Sequence, residues 1–307
     1  MKPSDITNLI FEQVKRNGWQ ARIVSIDHVK DIEQEIETYH QNGLLDEELY
    51  DSYLDRFDFN LCKHFKEARS LIIVTAPQPQ QQVTFNWRDQ TVACIIPPTY
   101  DPTTDGRIKA SLTEILKPHE YRLEKKRLPQ KILSVRSGLA RYGKNNITYV
   151  PGMGSFHRPV VFATDLPCEE DRWGESQPLK ACSGCTACME ACPSGAIASD
   201  RFLVHAGRCI TFHNERSPEF PQWLESSWHN SLVGCMHCQT ACPINTKFID
   251  WIEESVTFTR AETEFFLNGT DMHNLPRETL KKLEWIGMTE YATVLGRNLK
   301  ALIDTLY

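Results

Sequence analysis

The sequence has no apolar run approaching the roughly 20 residues that a membrane-spanning helix needs, which argues against a helical membrane protein. Its start, Met1-Lys2-Pro3-Ser4-Asp5, carries neither a secretory signal pattern nor a twin-arginine pair, and the expectation is a cytoplasmic chain. Positive charge is in deficit: the net charge of −6 argues against a protein devoted to nucleic acid. Internal repeats are absent apart from one pair of cysteine runs. What remains is 307 residues, 41% hydrophobic and 24% charged, a soluble globular composition. That length is enough for one large or two ordinary domains with cores of their own.

The charge deficit is not uniform. Between Lys117 and Lys144 stand nine basic residues (Lys117, Arg122, Lys125, Lys126, Arg127, Lys131, Arg136, Arg141 and Lys144) against Glu120 and Glu124, a local balance of +7. Such a stretch serves either a phosphate-bearing partner or a solvated face, and charge alone favours the solvated face.

Cysteine is the residue the chain has in plenty. One run is Cys182-Ser-Gly-Cys185-Thr-Ala-Cys188-Met-Glu-Ala-Cys192-Pro193, with the spacing C-x2-C-x2-C-x3-C-P; another is Cys235-Met-His-Cys238-Gln-Thr-Ala-Cys242-Pro243. Three thiolates in one tight loop wrap one corner of a cubane iron–sulfur cluster, and the fourth, a helical turn further on, points to a second cluster. The second run lacks a leading cysteine, and Cys209 fills that vacancy. The eight thiolates therefore divide into Cys182, Cys185, Cys188 and Cys242 for one [4Fe–4S] cluster, and Cys192, Cys209, Cys235 and Cys238 for the other. Structural zinc, which pairs two short C-x2-C knuckles, matches this spacing poorly. Disulfides suit short secreted chains. His237 lies inside a cluster loop and reads as a hydrogen-bond donor or a cofactor contact rather than a ligand. Cys62 and Cys94 read as small buried hydrophobes, and Cys168 has no motif.

Along the chain, residues 4 to 17 form an amphipathic pattern capped by Ser4 or Asp5, followed by a strand from Ala21 to Ile26. Asp27 caps a second helix ending at Asn42-Gly43, and an acidic, aromatic helix from about Asp46 to Phe57 comes next. Ser70 to Ala76 is a continuous apolar run expected of a strand buried on both faces, and Val92 to Ile96 reads as a second. Pro77 to Gln90, rich in Gln and Pro, is expected to be a loop with a short edge strand at Val83 to Trp87. A helix over Asp105 to Leu116, an extended segment over Tyr121 to Leu128, a helix from Pro129 to Ala140 and strands at Asn146 to Val150 and Phe156 to Thr164 complete an α/β or α+β layered domain over residues 1–165. The cluster module occupies 166–250. Residues 251–307 are expected to be a helical extension, with helices at Arg260 to Leu267, Arg277 to Ile286 and Thr289 to Leu306.

The stretch Arg136-Ser-Gly-Leu-Ala-Arg-Tyr-Gly-Lys-Asn-Asn146, then Gly154-Ser155, Thr164-Asp165-Leu166 and the cysteine module, resembles the epoxyqueuosine reductase family and, more distantly, the reductive dehalogenases. The resemblance implies a nitroreductase-like domain that holds base-off cobalamin, joined to a ferredoxin-like module bearing two [4Fe–4S] clusters. It implies electrons from a ferredoxin or flavodoxin, and a substrate that is a small molecule or tRNA-borne. It points to Arg136, Gly138, Lys144, Asn145, Gly154, Ser155 and His237 as cofactor contacts. Glu124 falls near the family's catalytic aspartate, with Tyr121 as another proton donor, but the Asp-x-x-Pro spacing is altered and the family's Tyr-Ala-x-Gly-x-Asp-Tyr-His stretch has no counterpart after Tyr100. Glu124 among four cations is a poor proton donor. A flavin in place of cobalamin, or an electron-transfer protein that activates a partner's corrinoid, remain alternatives.

Overall fold

A strand buried on both faces needs apolar side chains at every position, because successive residues point to opposite sides of the sheet. The computed structural model describes residues 1–54, 56–216, 219–269 and 274–306, with Cys62 and Leu306 described by backbone alone. In it the run from Ser70 is such a strand. Among the described residues the strands are, in chain order, β1 (Gln20–Ser25), β2 (Ser70–Pro77), β3 (Gln80–Trp87), β4 (Gln90–Ile96), β5 (Leu123–Lys125), β6 (Arg141–Tyr142), β7 (Thr148–Tyr149), β8 (His157–Thr164) and β9 (Ile252–Phe258). The helices are α1 (Pro3–Arg16), α2 (His28–Gln41), α3 (Glu47–Leu49), α4 (Thr103–Leu116), α5 (Gln130–Arg136), α6 (Ala187–Glu190), α7 (Ile210–Asn214), α8 (His237–Thr240), α9 (Arg260–Leu267), α10 (Arg277–Trp285) and α11 (Ala292–Leu306). No described helix is long and apolar enough to cross a membrane.

The chain forms two compact units that are not consecutive in sequence: residues 1–77 with 104–185, and 78–103 with 186–307. The sequence had suggested three consecutive segments. The difference arises because the β3–β4 hairpin leaves the first unit and pairs with the distant β9.

In the first unit the sheet order is β1-β2-β8-β5 with every neighbouring pair antiparallel, which makes the mixed fold α+β. Ile72 and Val74 of β2 pack with Ile6, Ile10 and Val14 of α1 and Ile108, Leu112 and Leu116 of α4. Leu71 and Ile73 face the other way, onto Val29 and Ile32 of α2 and Ile132 and Leu133 of α5. The unbroken apolar run of β2 is thus the centre of a three-layer sandwich. Asp105, in the first turn of α4, is buried and accepts two bonds from Arg158 of β8 (2.8 and 2.9 Å) and one from Lys125 of β5. Burial opposes the charge, but these cations outweigh it and hold the carboxyl below its usual range.

In the second unit β3 lies between β4 and β9, pairing antiparallel with the first and parallel with the second. Val83 and Phe85 of β3, Val92, Cys94 and Ile96 of β4, Phe258 of β9, Phe266 of α9 and Leu295, Leu299 and Ile303 of α11 share one core. Gly296 lets α11 approach α9 so closely that a Cβ there would overlap the carbonyl of Phe266. The C-terminal helices are therefore the lid of this core.

Several local expectations shift. The cap of α1 is Lys2, whose backbone N–H donates to Asp5 (3.1 Å). The acidic segment after Asp46 gives only α3 and a π-turn at Tyr50–Leu54. β4 alternates buried and exposed positions instead of being buried on both faces, because its sheet carries helices on one face. The extended segment from Tyr121 shortens to β5, and Pro129 caps α5 rather than starting it.

Candidate metal centre

Each cysteine loop closes with the same backbone pattern. In the first, Met189 and Glu190 donate to Thr186 O (2.8 and 3.0 Å), Ala191 to Ala187 O (3.0 Å) and Cys192 to Met189 O (3.3 Å). In the second, Gln239 and Thr240 donate to Met236 O (2.9 and 2.8 Å), Ala241 to His237 O (3.1 Å) and Cys242 to Gln239 O (3.3 Å). One turn of helix, α6 or α8, thus carries the last cysteine of each run away from the three-residue spacing before it, as the crossed arrangement requires. Pro193 and Pro243 follow and redirect the chain.

Cys209 precedes the first residue of α7, and its carbonyl accepts from Phe212 N–H (3.0 Å), so the Thr211 and Phe212 amides lie near its thiol and lower it. Burial pushes this thiol up, these donors pull it down, and the charge of Cys192 raises it again. Burial pushes the Cys235 thiol up to about 12, with His237 N–H opposing and Cys209 and Cys192 adding to the rise. The structure therefore brings Cys192, Cys209 and Cys235 within electrostatic reach of one another. Backbone donors to a ligand sulfur are among the levers that set a cluster's potential, and a helix N-terminus favours thiolate. Among the described residues no three Cys, His, Asp or Glu side chains converge as they would round a single metal ion. Cubane ligation instead distributes four thiolates over separate iron corners. The donor chemistry fits the clusters.

The supports of Cys209 and Cys235 come from residues that the sequence did not single out. Asn298 of α11 donates to Asn214 O (2.8 Å) and Leu232 O (2.9 Å), Arg297 donates to His213 O (2.8 Å), and Asn214 donates to Gly234 O (2.7 Å). The segment between Cys209 and Cys235 is thus tied to the C-terminal helix. Tyr100 is half-buried, donates to Glu215, and stands so close to Gly234 that a Cβ there would lie 2.7 Å from its hydroxyl. Gly234 also has φ +71°, so both backbone and space require glycine immediately before Cys235. A periodicity reading could not find these residues, since their partners are remote in sequence.

The residues expected to hold a corrin are engaged otherwise. Lys144 donates to Cys185 O (2.7 Å), and Leu179 N–H bonds to Tyr142 O (2.8 Å), so the Gly-Lys-Asn turn clamps the segment leading into the first cysteine loop. Asn145 is buried in its own hairpin, donating to the Tyr149 hydroxyl (3.1 Å) and accepting from Ile147 N–H (3.2 Å). Arg136 pairs with Glu35. Gly138, at φ +72°, ends α5; Gly154 bridges to Val150; Ser155 is buried. His237 bonds to Trp228 O (2.9 Å) through Nε2. Lys144, Asn145, Arg136 and His237 thus each have a partner within the chain.

Nor do the two candidate proton donors form a site. Glu124 on β5 is bonded to Lys126 (2.9 Å) and Arg122 (2.7 Å), which hold its carboxyl below the usual range, Lys126 foremost. It is an ion-paired carboxylate. Tyr121 packs against the α1–α4 side of the core. Much of the basic stretch is likewise neutralised, since Arg122, Lys125, Lys126 and Arg136 each meet a carboxylate. Cys94 is buried, and Cys168 donates to Ile23 O (3.5 Å). The side chain of Cys62 lies outside the described residues.

Residues 181–245, which span all eight paired cysteines, match the 4Fe-4S double cluster binding domain. The structure of epoxyqueuosine reductase from Bacillus subtilis superposes with a TM-score of 0.71 over 99% of this chain and 82% of that one, at 19% identity. The chain has the epoxyqueuosine reductase fold. The B. subtilis (strain 168) epoxyqueuosine reductase is also similar in sequence, 33% identical over 86 residues, which is 28% of this chain and 21% of that protein. The aligned part thus spans about a fifth of the length of that relative. A crystal structure of epoxyqueuosine reductase with an epoxyqueuosine-modified tRNA-Tyr stem loop matches with a TM-score of 0.64 at 19% identity, over 98% of this chain and 82% of that one. The expected resemblance and the mixed helix–strand fold stand on these likenesses.

Proposed function

We propose that the protein is an iron–sulfur oxidoreductase of the epoxyqueuosine reductase type, passing electrons from a ferredoxin or flavodoxin through two [4Fe–4S] clusters to a cobalamin. The match of residues 181–245, with their eight cysteines, to the 4Fe-4S double cluster binding domain carries this reading. Cobalamin, when bound, supplies the reducing chemistry at cobalt, and the chain's own task is to hold the clusters in a partly buried, hydrogen-bonded setting. The likeness of fold to epoxyqueuosine reductases supports the corrinoid, and the structure bound to a tRNA stem loop supports a tRNA-borne substrate. Anaerobic purification with cobalamin supplied tests the cofactor: a corrin absorption band and saturable binding are expected, and absence of both overturns it.

A second reading is reductive activation of a corrinoid held by a partner protein. Glu124 held as an ion-paired carboxylate, with Lys144 and Asn145 committed to the protein itself, favours it. Turnover of an epoxide or halide substrate by the purified protein and a reductant alone would exclude this carrier role.

A further inference from the structure

The first unit holds a cleft of about 300 Å³ at the end of α5, lined by Arg22, Arg136, Arg141, Arg172, Trp173 and Glu175 among others. Its walls are fixed. Trp173 stacks on His28 (4.3 Å between ring centroids, 8° apart) and carries Arg136 over its ring at 5.1 Å, and Gly174 N–H donates to Arg136 O (2.9 Å). His28 is itself held by Asp171 (2.7 Å) and Asp31 (2.8 Å).

The side chains lining this space are mostly donors. Arg136 spends one nitrogen on Glu35, and its Nε and Trp173 Nε1 are sealed inside the wall. Arg22 bonds only to the carbonyl of Ala21 (2.9 Å), Arg141 to the Gln177 amide oxygen (3.2 Å), and Arg172 to Glu170 (3.0 Å) in a pair whose two side chains are 69% and 78% exposed. Burial and then the charge of Arg172 hold Arg22 below its ordinary range. Glu35 and Glu175 offset part of the charge. Arg22, Arg136, Arg141 and Arg172 line one cleft, and the complement of guanidinium groups, which only donate, is a ligand that only accepts. A tetrahedral phosphate offers oxygens in several directions and matches the forked geometry of arginine.

We infer that this cleft is an oxyanion site that takes the phosphate group of a phosphate ester. The space exceeds a bare phosphate, so the ester's carrier lies partly inside. Both a small phosphate ester and an RNA backbone present this group. The inference rests on neither the clusters nor a corrin.

The test is calorimetric titration, at low ionic strength, of the cluster-loaded protein with inorganic phosphate, a nucleoside monophosphate and an RNA stem loop. The wild type is compared with the Arg22→Gln/Arg172→Gln double variant and with Arg172→Gln alone, an exposed change that keeps the test open should the double variant misfold. Affinity for at least one phosphate source falls tenfold or more in the variants. Loss confined to the stem loop assigns the source to RNA backbone, and loss for the nucleoside monophosphate assigns it to a small ester. Failure of the wild type to bind any of the three at millimolar concentration, or equal binding by wild type and variants, overturns the inference.

Discussion

Replacing Cys209 by alanine separates the two cluster sets. Cys209 sits outside both cysteine runs, yet its half-buried thiol lies within electrostatic reach of Cys192 and Cys235. If it completes the second set, Cys209→Ala lowers the iron content from about eight towards about four per chain, since a cubane left with three of its four thiolates loses iron readily. Alkylation under native, anaerobic conditions followed by peptide mass spectrometry then reads the partition directly. Cys192, Cys235 and Cys238 become labelled, while Cys182, Cys185, Cys188 and Cys242 stay protected. Rates carry a second signature. The thiolate is the reactive form, and a thiol pushed up to about 12 ionises about a thousandfold less at pH 8 than an ordinary one, so Cys235 is labelled far more slowly than an unburied thiol. Unchanged iron, or labelling of Cys182, Cys185 and Cys188 instead, refutes the assignment.

Other consequences concern the scaffold. Asp105→Asn leaves Arg158 and Lys125 without their carboxylate and is expected to destabilise the first unit by about 2 to 3 kcal/mol, less than a fully buried pair because Lys125 is 45% exposed. This contribution is present above the ordinary carboxylate pKa and is lost as pH falls through the lowered folded value, so in urea unfolding the gap between variant and wild type closes below about pH 4. His157, wholly buried and bonded to Thr148 O (3.0 Å), is pushed down to about 4 by burial. Its neutral form is favoured by the fold, so stability drops as pH falls from about 6.5 to about 4, by up to about 3 kcal/mol, and His157→Gln flattens that window. Gly296→Ala forces α11 from α9 and costs about 1 to 3 kcal/mol or more. Because Asn298 and Arg297 secure the segment between Cys209 and Cys235, a lower melting temperature is accompanied by faster iron loss.

The parts of the fold that local pattern specifies were readable from the sequence. The unbroken apolar run at Ser70 announced the buried β2, and the spacing of Ile6, Ile10 and Val14 announced α1. Cys209 enters the ligand set only by a count of thiolates. Long-range pairing was not readable: the Gln-rich β3 looked like a loop with an edge strand, but it is the middle strand of its sheet, with Gln80 donating to Ile249 O (2.7 Å). Its partner β9 has Ile252, Glu253 and Glu254 exposed and carries no two-residue alternation. Lys144 was legible as a residue of interest and its partner was not, because a hydrogen bond to the backbone of Cys185 leaves no mark on residue spacing. Asn298 and Arg297 fall in an ordinary amphipathic helix, where polar residues on the packed side are visible only once the other side is known.

The central claim is that the eight cysteines hold two [4Fe–4S] clusters. Mössbauer spectroscopy of the anaerobically reconstituted wild type, with iron, acid-labile sulfide and zinc counted on the same sample, tests it most directly. The account predicts about eight iron and about eight sulfide per chain, all in cubane clusters. Stoichiometric zinc without sulfide, or iron that saturates at about four, would contradict it.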